Sequence, residues 1–317
     1  MATDTDLRIG IDLGGTNTKY ALITADGTIL EKGRIATADY PDAASFVDGL
    51  HEQLLPLIEK HNAKDKLKGI GIGAPNANFF TGNIEHAVNL KWKDIVPLAK
   101  MVSDKFGLKC VLNNDAKVAA LGEHTFGVAK NMSDFIMITL GTGVGSGIFV
   151  NGSLLYGCKG NAGELGHTVI RHNGRIHWST GLKGTVESYC SATGIAITAK
   201  EMLHNAEIES QLSQYKDDEL TSKAVYDCAV NGDELAVSVF KFTGNILGEA
   251  LANFALFSAP EAIVLFGGVM RAGDMISQPA QQSFEEHLIT SYKGQVKLLH
   301  SSLDLDDAAI LGASRLV

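Results

Sequence analysis

A two-domain α/β fold built on a duplicated module is what this sequence predicts, on three observations. First, Leu7 to Leu30, LRIGIDLGGTNTKYALITADGTIL, has a counterpart at Phe135 to Leu155, FIMITLGTGVGSGIFVNGSLL. Ile9, Ile11, Leu13 and Gly14 fall on Ile136, Ile138, Leu140 and Gly141, and after a two-residue gap Gly27 and Leu30 fall on Gly152 and Leu155. Second, apolar runs of strand length alternate with helical periodicities along the rest of the chain. Third, 317 residues exceed what one hydrophobic core usually organises, and 45% hydrophobic residues, 20% charged residues and 34 glycines are an ordinary globular composition.

Each copy of the module reads as an apolar strand, a tight turn rich in Gly and Thr, a second apolar run, and a polar hairpin turn (Asp26-Gly27, Asn151-Gly152) into a third. Glycine permits positive φ and leaves backbone N–H groups uncovered, while Thr and Lys add donors, so such turns suit phosphate oxygens. Two of them facing each other would clamp a polyphosphate. Between the copies, Ala43 to Lys60 places Phe46, Val47, Leu50, Leu54, Leu57 and Ile58 at helical spacing, a helix that packs on the sheet. Lys68 to Ala74 is a short strand, which leaves Pro75 to Phe80 as a loop whose Asn76 and Asn78 are more simply turn-formers than ligand groups. Asn83 to Trp92 is irregular and carries Asn89. A helix over Ile95 to Phe106 leads to a buried strand at Lys109 to Leu112, stopped by Asn113-Asn114-Asp115, and helical signals resume at Ala116. Asp115 thus lies at a strand end where a helix begins, and by residue type alone it is a helix N-cap.

Beyond the second copy, Gly157 to His167 (GCKGNAGELGH) sets Glu164 and His167 on a glycine-rich loop. Charged side chains held in that way are poorly explained as core or as a solvated helix face, so a functional role is preferred. A strand over Thr168 to Arg171 and a polar turn lead to Gly181 to Ser191, where Glu187 precedes a helical stretch. Met202 to Lys223, with Lys216, Asp217, Asp218 and Glu219, is a solvated surface. Thr243 to Phe257 is an apolar helix. Ala262 to Phe266 is a buried strand stopped by Gly267-Gly268, where a flat ligand could approach the backbone. A short helix within Asp306 to Leu316 closes the chain. With no linker to mark a boundary, it is set near Leu121: residues 1–121 form an N-terminal domain, completed by the helix of 306–317, and 122–305 a larger C-terminal one.

A net charge of −9 and a pI near 5.6 argue against a general binder of nucleic acid or anionic membranes. Cys110, Cys158, Cys190 and Cys228 form no CxxC pair, which suits reduced thiols better than disulfides or a cysteine metal site. The MATDTDLR terminus has no signal-peptide pattern, and no apolar run approaches the length of a membrane span, so the cytoplasm is the expected compartment.

Taken together, DLGGTNTK at 12–19, NND at 113–115, LGTGVGSG at 140–147, GNAGELGH at 160–167 and LFGG at 265–268 resemble the ROK family of sugar kinases and repressors, in family order and over nearly the whole chain. The resemblance implies an actin-like ATPase fold, a duplicated ribonuclease-H-like architecture with an interdomain cleft, and transfer of the γ-phosphate of ATP to a hexose, usually at its 6-hydroxyl. It assigns the phosphates to Gly14, Gly15, Thr16, Asn17 and Lys19 and to Gly141, Thr142 and Gly143, and the adenosine to Gly267 and Gly268. Asp12 would stand near Mg²⁺ through water. Asp115 matches the catalytic base, and with Asn89, Asn114, Glu164, His167 and Glu187 it would bind the sugar hydroxyls. Glucose is the first substrate expected, with N-acetylmannosamine, N-acetylglucosamine and fructose behind it. Homodimers are common in that family, though nothing in the chain derives one.

One departure stands out. Members of the family carry a CxCGxxGCxE run whose three cysteines, with the histidine, hold a structural zinc ion. The matching WSTGLKGTVE has Trp178, Thr180 and Thr185 at those places, and none replaces a thiolate, so no zinc is expected. Gly181, Gly184 and Glu187 are retained, and packing of Trp178 would shape the loop. Two further readings follow. A sugar-responsive repressor would need a helix-turn-helix ahead of the first phosphate motif, for which residues 1–11 leave no room, and the acidic balance agrees. A non-catalytic sugar-binding regulatory protein is the other reading, kept open by the missing zinc cysteines and opposed by the intact Asp115 and both phosphate turns.

Overall fold

A computed structural model describes residues 6–87, 89–205 and 209–317. The terminus MATDT and, within the polar stretch after Met202, residues 206–208 lie outside the described residues. The chain divides into two compact units: residues up to Met132 with Ser153–Ala162 and Ser302–Val317, and Ser133–Gly152 with Gly163–Ser301.

In the first unit, β1 (Leu7–Leu13) buries Leu7, Ile9, Ile11 and Leu13 at the middle of a sheet. It runs antiparallel to β2 (Thr18–Thr24), which in turn pairs antiparallel with β3 (Ile29–Ile35), whose alternating burial is that of an edge strand. Helix α1 (Ala43–Lys60) starts at Asp42, whose carboxylate accepts from the Ser45 N–H at 2.8 Å, and it buries Phe46, Leu50 and Leu54 completely. β4 (Leu67–Ala74) returns parallel to β1. A small antiparallel sheet follows, of β5 (Ala77–Asn78), β6 (Asn83–Glu85) and β7 (Ile95–Val96), so neither Pro75 to Phe80 nor Asn83 to Trp92 is wholly irregular. The helix expected from Ile95 begins later, as α2 (Leu98–Phe106), because Pro97 holds the residue before it in extended conformation and takes the N-cap position itself. β8 (Cys110–Asn114) lies parallel to β4, and α3 (Asp115–Phe126) begins where it ends, with Leu121 inside it.

The second unit repeats the plan. β9 (Phe135–Leu140), β10 (Val144–Val150) and β11 (Ser153–Leu154) form an antiparallel meander. Its hairpin turn has Asn151 and Gly152 at φ of 50° and 74°, the paired positive angles that a two-residue hairpin asks for. Helices α4 (Glu187–Cys190), α5 (Ala192–His204), α6 (Ser222–Val230) and α7 (Glu234–Ser258) precede β12 (Ala262–Phe266), and α8 (Asp274–His287) leads to β13 (Lys297–His300). β12 lies parallel to β9, and β13 parallel to β12. The strand orders are β3-β2-β1-β4-β8 and β11-β10-β9-β12-β13, so the repeat in the sequence is a repeat of topology. Helix α9 (Ala308–Ser314) belongs to the first unit, packed so closely on its sheet that a Cβ at Gly71 would collide with the Ala313 carbonyl.

Two expectations are corrected. Residues 168–171 form no strand: the 168–186 segment is a loop with isolated bridges at Val169–Thr185 and Ile176–Lys183, because Ile170 and Arg171 both donate to the one Gly184 carbonyl and no ladder can continue. The loop is tied down by Arg171, which pairs with Glu249 through both ends of its guanidinium at 2.5 and 2.7 Å, and by Arg175, which donates to the Ser188 carbonyl at 2.5 Å. Helix α7, in turn, is long and apolar enough, by length and composition, to cross a membrane, yet 67% of its apolar window is buried inside the protein, where it packs against α8 and α5.

Candidate active site

Parallel strands end on one edge of a sheet, so β1, β4 and β8 bring Asp12, Ala74 and Asn113 to Asp115 to the same side of the first unit. The turn after β1 is closed by the Gly14 N–H donating to the Asn17 carbonyl at 3.0 Å, and the Thr16 carbonyl accepts from Ala38 N–H at 3.3 Å. Thr16 and Asn17 are exposed. Neither glycine of this turn has positive φ, contrary to the sequence argument; Gly15 is required because the Asn89 carbonyl lies where a Cβ would be. The exposed Asn89 is thereby seated beside the turn. Lys19, on β2, faces Asp12 across the ladder, and its Nζ is 2.5 Å from Asp306 Oδ1.

Asn114, not Asp115, is the N-cap of α3. Its Oδ1 accepts from the N–H groups of Ala116 at 3.1 Å and Lys117 at 3.3 Å. Asp115 is the first residue of the helix, so the capping account of this carboxylate does not hold. Burial raises its carboxyl above the usual range, opposed by hydrogen bonds from Ala116 N–H and the Asn114 side chain. The residue is solvent-accessible all the same, so water limits how far it rises. The half-buried Asp12 is pushed up to about 6, by burial first and the Asp115 charge second, with Lys19 opposing. Two carboxylates, one of which disfavours ionisation of the other, offer hard oxygen donors, a set that fits Mg²⁺.

The start of the glycine-rich loop belongs to this unit. Lys117, buried at 3% exposure, donates from Nζ to the Gly160 carbonyl at 2.6 Å, and Asn78, also buried, donates to the Lys159 carbonyl at 3.0 Å. Asn78 is therefore a brace. Lys117 was signalled only as a lone cation in the apolar helical run after Asp115.

In the second unit, Gly141, Thr142 and Gly143 form the corresponding turn, closed by Gly141 N–H on the Gly143 carbonyl at 3.0 Å. The Gly141 carbonyl accepts from Ala192 N–H at 2.8 Å and the Thr142 carbonyl from Thr193 Oγ1 at 3.1 Å. In a planar trans peptide the following N–H points the opposite way, so the N–H groups of Thr142 and Gly143 are turned away from α5. Gly141, Thr142 and Gly268 line one cavity of about 390 Å³, with Tyr226, Phe240 and Arg271 on its wall. Gly267, at φ 114°, lets β12 turn into it. Tyr226 and Arg271 were missed in the sequence, where nothing distinguishes them from surface residues of a helix and a loop.

Glu187 opens α4 beside the same turn. Its Oε2 accepts from Val144 N–H at 2.6 Å, and a Cβ on Gly143 would stand 2.6 Å from that oxygen. Its Oε1 lies 2.6 Å from Nε2 of His177, a buried residue that sequence reasoning passed over in favour of its neighbour. Trp178 stacks on His177 at 4.3 Å but is 44% exposed, so Trp178 lines the loop and His177 is its centre. Thr180 bonds to His177 and Thr185 to Ser188 at 2.7 Å, hydroxyls engaged locally. His167 meets His177 edge-on at 5.4 Å, with its Nδ1 buried and unpartnered, and Glu164 is exposed one turn ahead of it. His167, His177 and Glu187 carry ligand-capable atoms within 4.8 Å of one another. Since none of the four cysteines lies between residues 163 and 187, the three-thiolate zinc site does not fit this loop.

Comparisons with known proteins bear on the family and the fold. A glucokinase of Halalkalibacterium halodurans is 37% identical over 312 residues, covering 98% of this chain and 94% of that protein. A crystal structure of a ROK family glucokinase from Streptomyces griseus, in complex with glucose and AMPPNP, is 30% identical with a TM-score of 0.80, covering 98% of this chain and 99% of that one. A xylose repressor of Caldicellulosiruptor bescii is 28% identical, covering 98% of this chain and 77% of that protein. The fold is the α/β actin-like ATPase fold. With the ROK profile matching residues 8–317 and both glycine turns built alike on a repeated sheet, this chain belongs to the ROK family.

Proposed function

We propose that this protein is an ATP-dependent hexose kinase that transfers the γ-phosphate to the 6-hydroxyl of a sugar, glucose first among candidates. The observation that carries the reading is Asp115: a carboxylate at a strand end, relieved of capping by Asn114, raised by burial and set near Asp12. A sugar alcohol is a weak nucleophile, and a carboxylate of raised pKa accepts its proton more readily as the bond to phosphorus forms. Asn89, Asn114, Glu164, His167 and Glu187 would meet the remaining hydroxyls. An unpaired polar group left buried there costs about 1–3 kcal/mol, which is how such a site selects one sugar.

Phosphoryl transfer otherwise depends on placement and charge neutralisation. Backbone N–H groups of the two turns, other than those of Gly14 and Gly141 that close them, would supply donors for phosphate oxygens, and the cavity beside Gly268 would suit the adenosine. Mg²⁺ near Asp12, held through water, would neutralise phosphate charge. The similarity to the xylose repressor favours a second reading, a sugar-responsive regulator without turnover.

The test is ADP release with ATP and Mg²⁺ over glucose, mannose, fructose, N-acetylglucosamine and N-acetylmannosamine. Turnover on one sugar supports the kinase. Sugar binding by calorimetry without turnover on any supports the regulator.

A further inference from the structure

We propose that His177 is a positioning residue, a two-ended hydrogen-bond strut that holds the Glu187 carboxylate without a metal ion. The proposal rests on the reading of Glu187 as a sugar partner. Nδ1 of His177 faces the backbone N–H groups of Thr180 at 3.2 Å and Ser179 at 3.4 Å, and the Thr180 hydroxyl at 3.0 Å. A backbone N–H can only donate, so Nδ1 is an acceptor and carries no proton. The ring proton then sits on Nε2, 2.6 Å from Glu187 Oε1, and is donated to the carboxylate.

The other carboxylate oxygen is held by Val144 N–H at 2.6 Å. Glu187 is thus fixed from two sides, by the 177–182 turn and by the strand leaving the phosphate turn. Each oxygen keeps a further lone pair for a ligand hydroxyl. The strut cannot swing: His177 is 1% exposed, with Trp178 stacked on one face and His167 edge-on. The same tautomer removes the metal alternative. His167, His177 and Glu187 are near enough to share a cation, but a ring bound to one through Nε2 would carry its proton on Nδ1, against the Ser179 and Thr180 N–H groups that already point at that atom.

The experiment compares sugar phosphorylation by His177→Asn, His177→Gln and His177→Ala, with metal analysis and ¹⁵N spectra of the wild-type imidazoles. Asn keeps an acceptor for the turn amides but is too short to donate to Glu187; Gln restores the donor. Sugar KM should rise about tenfold or more in the Asn and Ala variants, the order expected for losing a hydrogen bond to a charged group. KM for ATP should change by less than about twofold, and Gln should recover most of the sugar affinity. His177 should show the Nε2–H tautomer, and the protein should purify with far less than one metal per chain. Sugar KM unchanged in both Asn and Ala variants overturns the proposal, as does stoichiometric zinc that His177→Ala releases. If the Ala variant does not fold, the spectrum decides: an Nδ1–H tautomer refutes the strut. Because tautomer and metal content are read without turnover, a wild type inactive on every sugar defeats the kinase reading while the strut is still judged by its spectrum.

Discussion

Replacing Asp12 by asparagine should stabilise the ligand-free protein above pH 6 while abolishing phosphoryl transfer. The carboxyl stands at about 6 in the folded chain against an ordinary 3.8, raised by burial first and by Asp115 second. Between those values the folded state binds more protons than the unfolded state, so this group's effect on stability becomes more unfavourable as pH rises through the window and is largest above 6. At about 1.36 kcal/mol per pKa unit the rise corresponds to about 3 kcal/mol, an upper bound because water still reaches a half-buried side chain. Asparagine keeps the shape and removes the charge. Urea unfolding of both proteins from pH 4 to pH 8 should show curves that nearly coincide at pH 4 and separate by about 1–3 kcal/mol in favour of the variant at pH 7.5. Millimolar Mg²⁺ should narrow the gap by stabilising only the wild type. A variant no more stable than wild type at pH 7.5, or a gap independent of pH, refutes the idea that Asp12 and Asp115 repel each other in the empty site.

Asp115→Asn should lower kcat by about 10²- to 10⁴-fold with sugar affinity by calorimetry nearly intact; unchanged turnover would remove Asp115 as the base. Gly143→Ala places a methyl 2.6 Å from Glu187 Oε2, so sugar KM should rise several-fold, and a wild-type KM would mean that this carboxylate does not contact the sugar. Gly71→Ala drives a Cβ into the Ala313 carbonyl and should cost about 1–3 kcal/mol, read as a fall in Tm, with no loss expected only if α9 can shift off the sheet.

The repeat was the most legible part of the chain, because strand registers leave a period-two apolar signature that survives duplication: Ile9, Ile11 and Leu13 occupy in β1 what Ile136, Ile138 and Leu140 occupy in β9. Helix α1 was readable to both ends, since its periodicity is strong and Asp42 caps it. What failed was set by contacts remote in sequence. The 168–186 loop holds its shape through Arg171 on Glu249 and Arg175 on Ser188, neither of which leaves a local pattern. His177 carries no local signal, because the groups that meet on Glu187 come from a turn ten residues upstream and a strand forty-three residues upstream. Asn114 and Asp115 could be ranked only once the cap geometry was visible: both residue types cap helices, and the backbone decides which does.

Duplication alone would give two equal turns, and the divergence between them lies in charge. Asp12 aligns with Thr139 in the sequence repeat, so the carboxylate beside the first turn is a hydroxyl beside the second. Likewise β8 is followed by Asp115 at a helix start, while its counterpart β13 runs into Ser301 and Ser302. The second turn can therefore receive phosphate oxygens on its N–H groups with no carboxylate at either corresponding strand end. The first turn has donors too, but beside two acids, of which Asp115 helps to raise Asp12, and a polyanion brought there meets repulsion until a cation or a proton intervenes. On the proposed reading a division of labour follows within one repeated plan: the second turn, whose neighbouring carboxylate Glu187 is already held by Val144 N–H, would suit holding the nucleotide, and the first, with Asp12 and Asp115 on one sheet edge, would suit the chemistry.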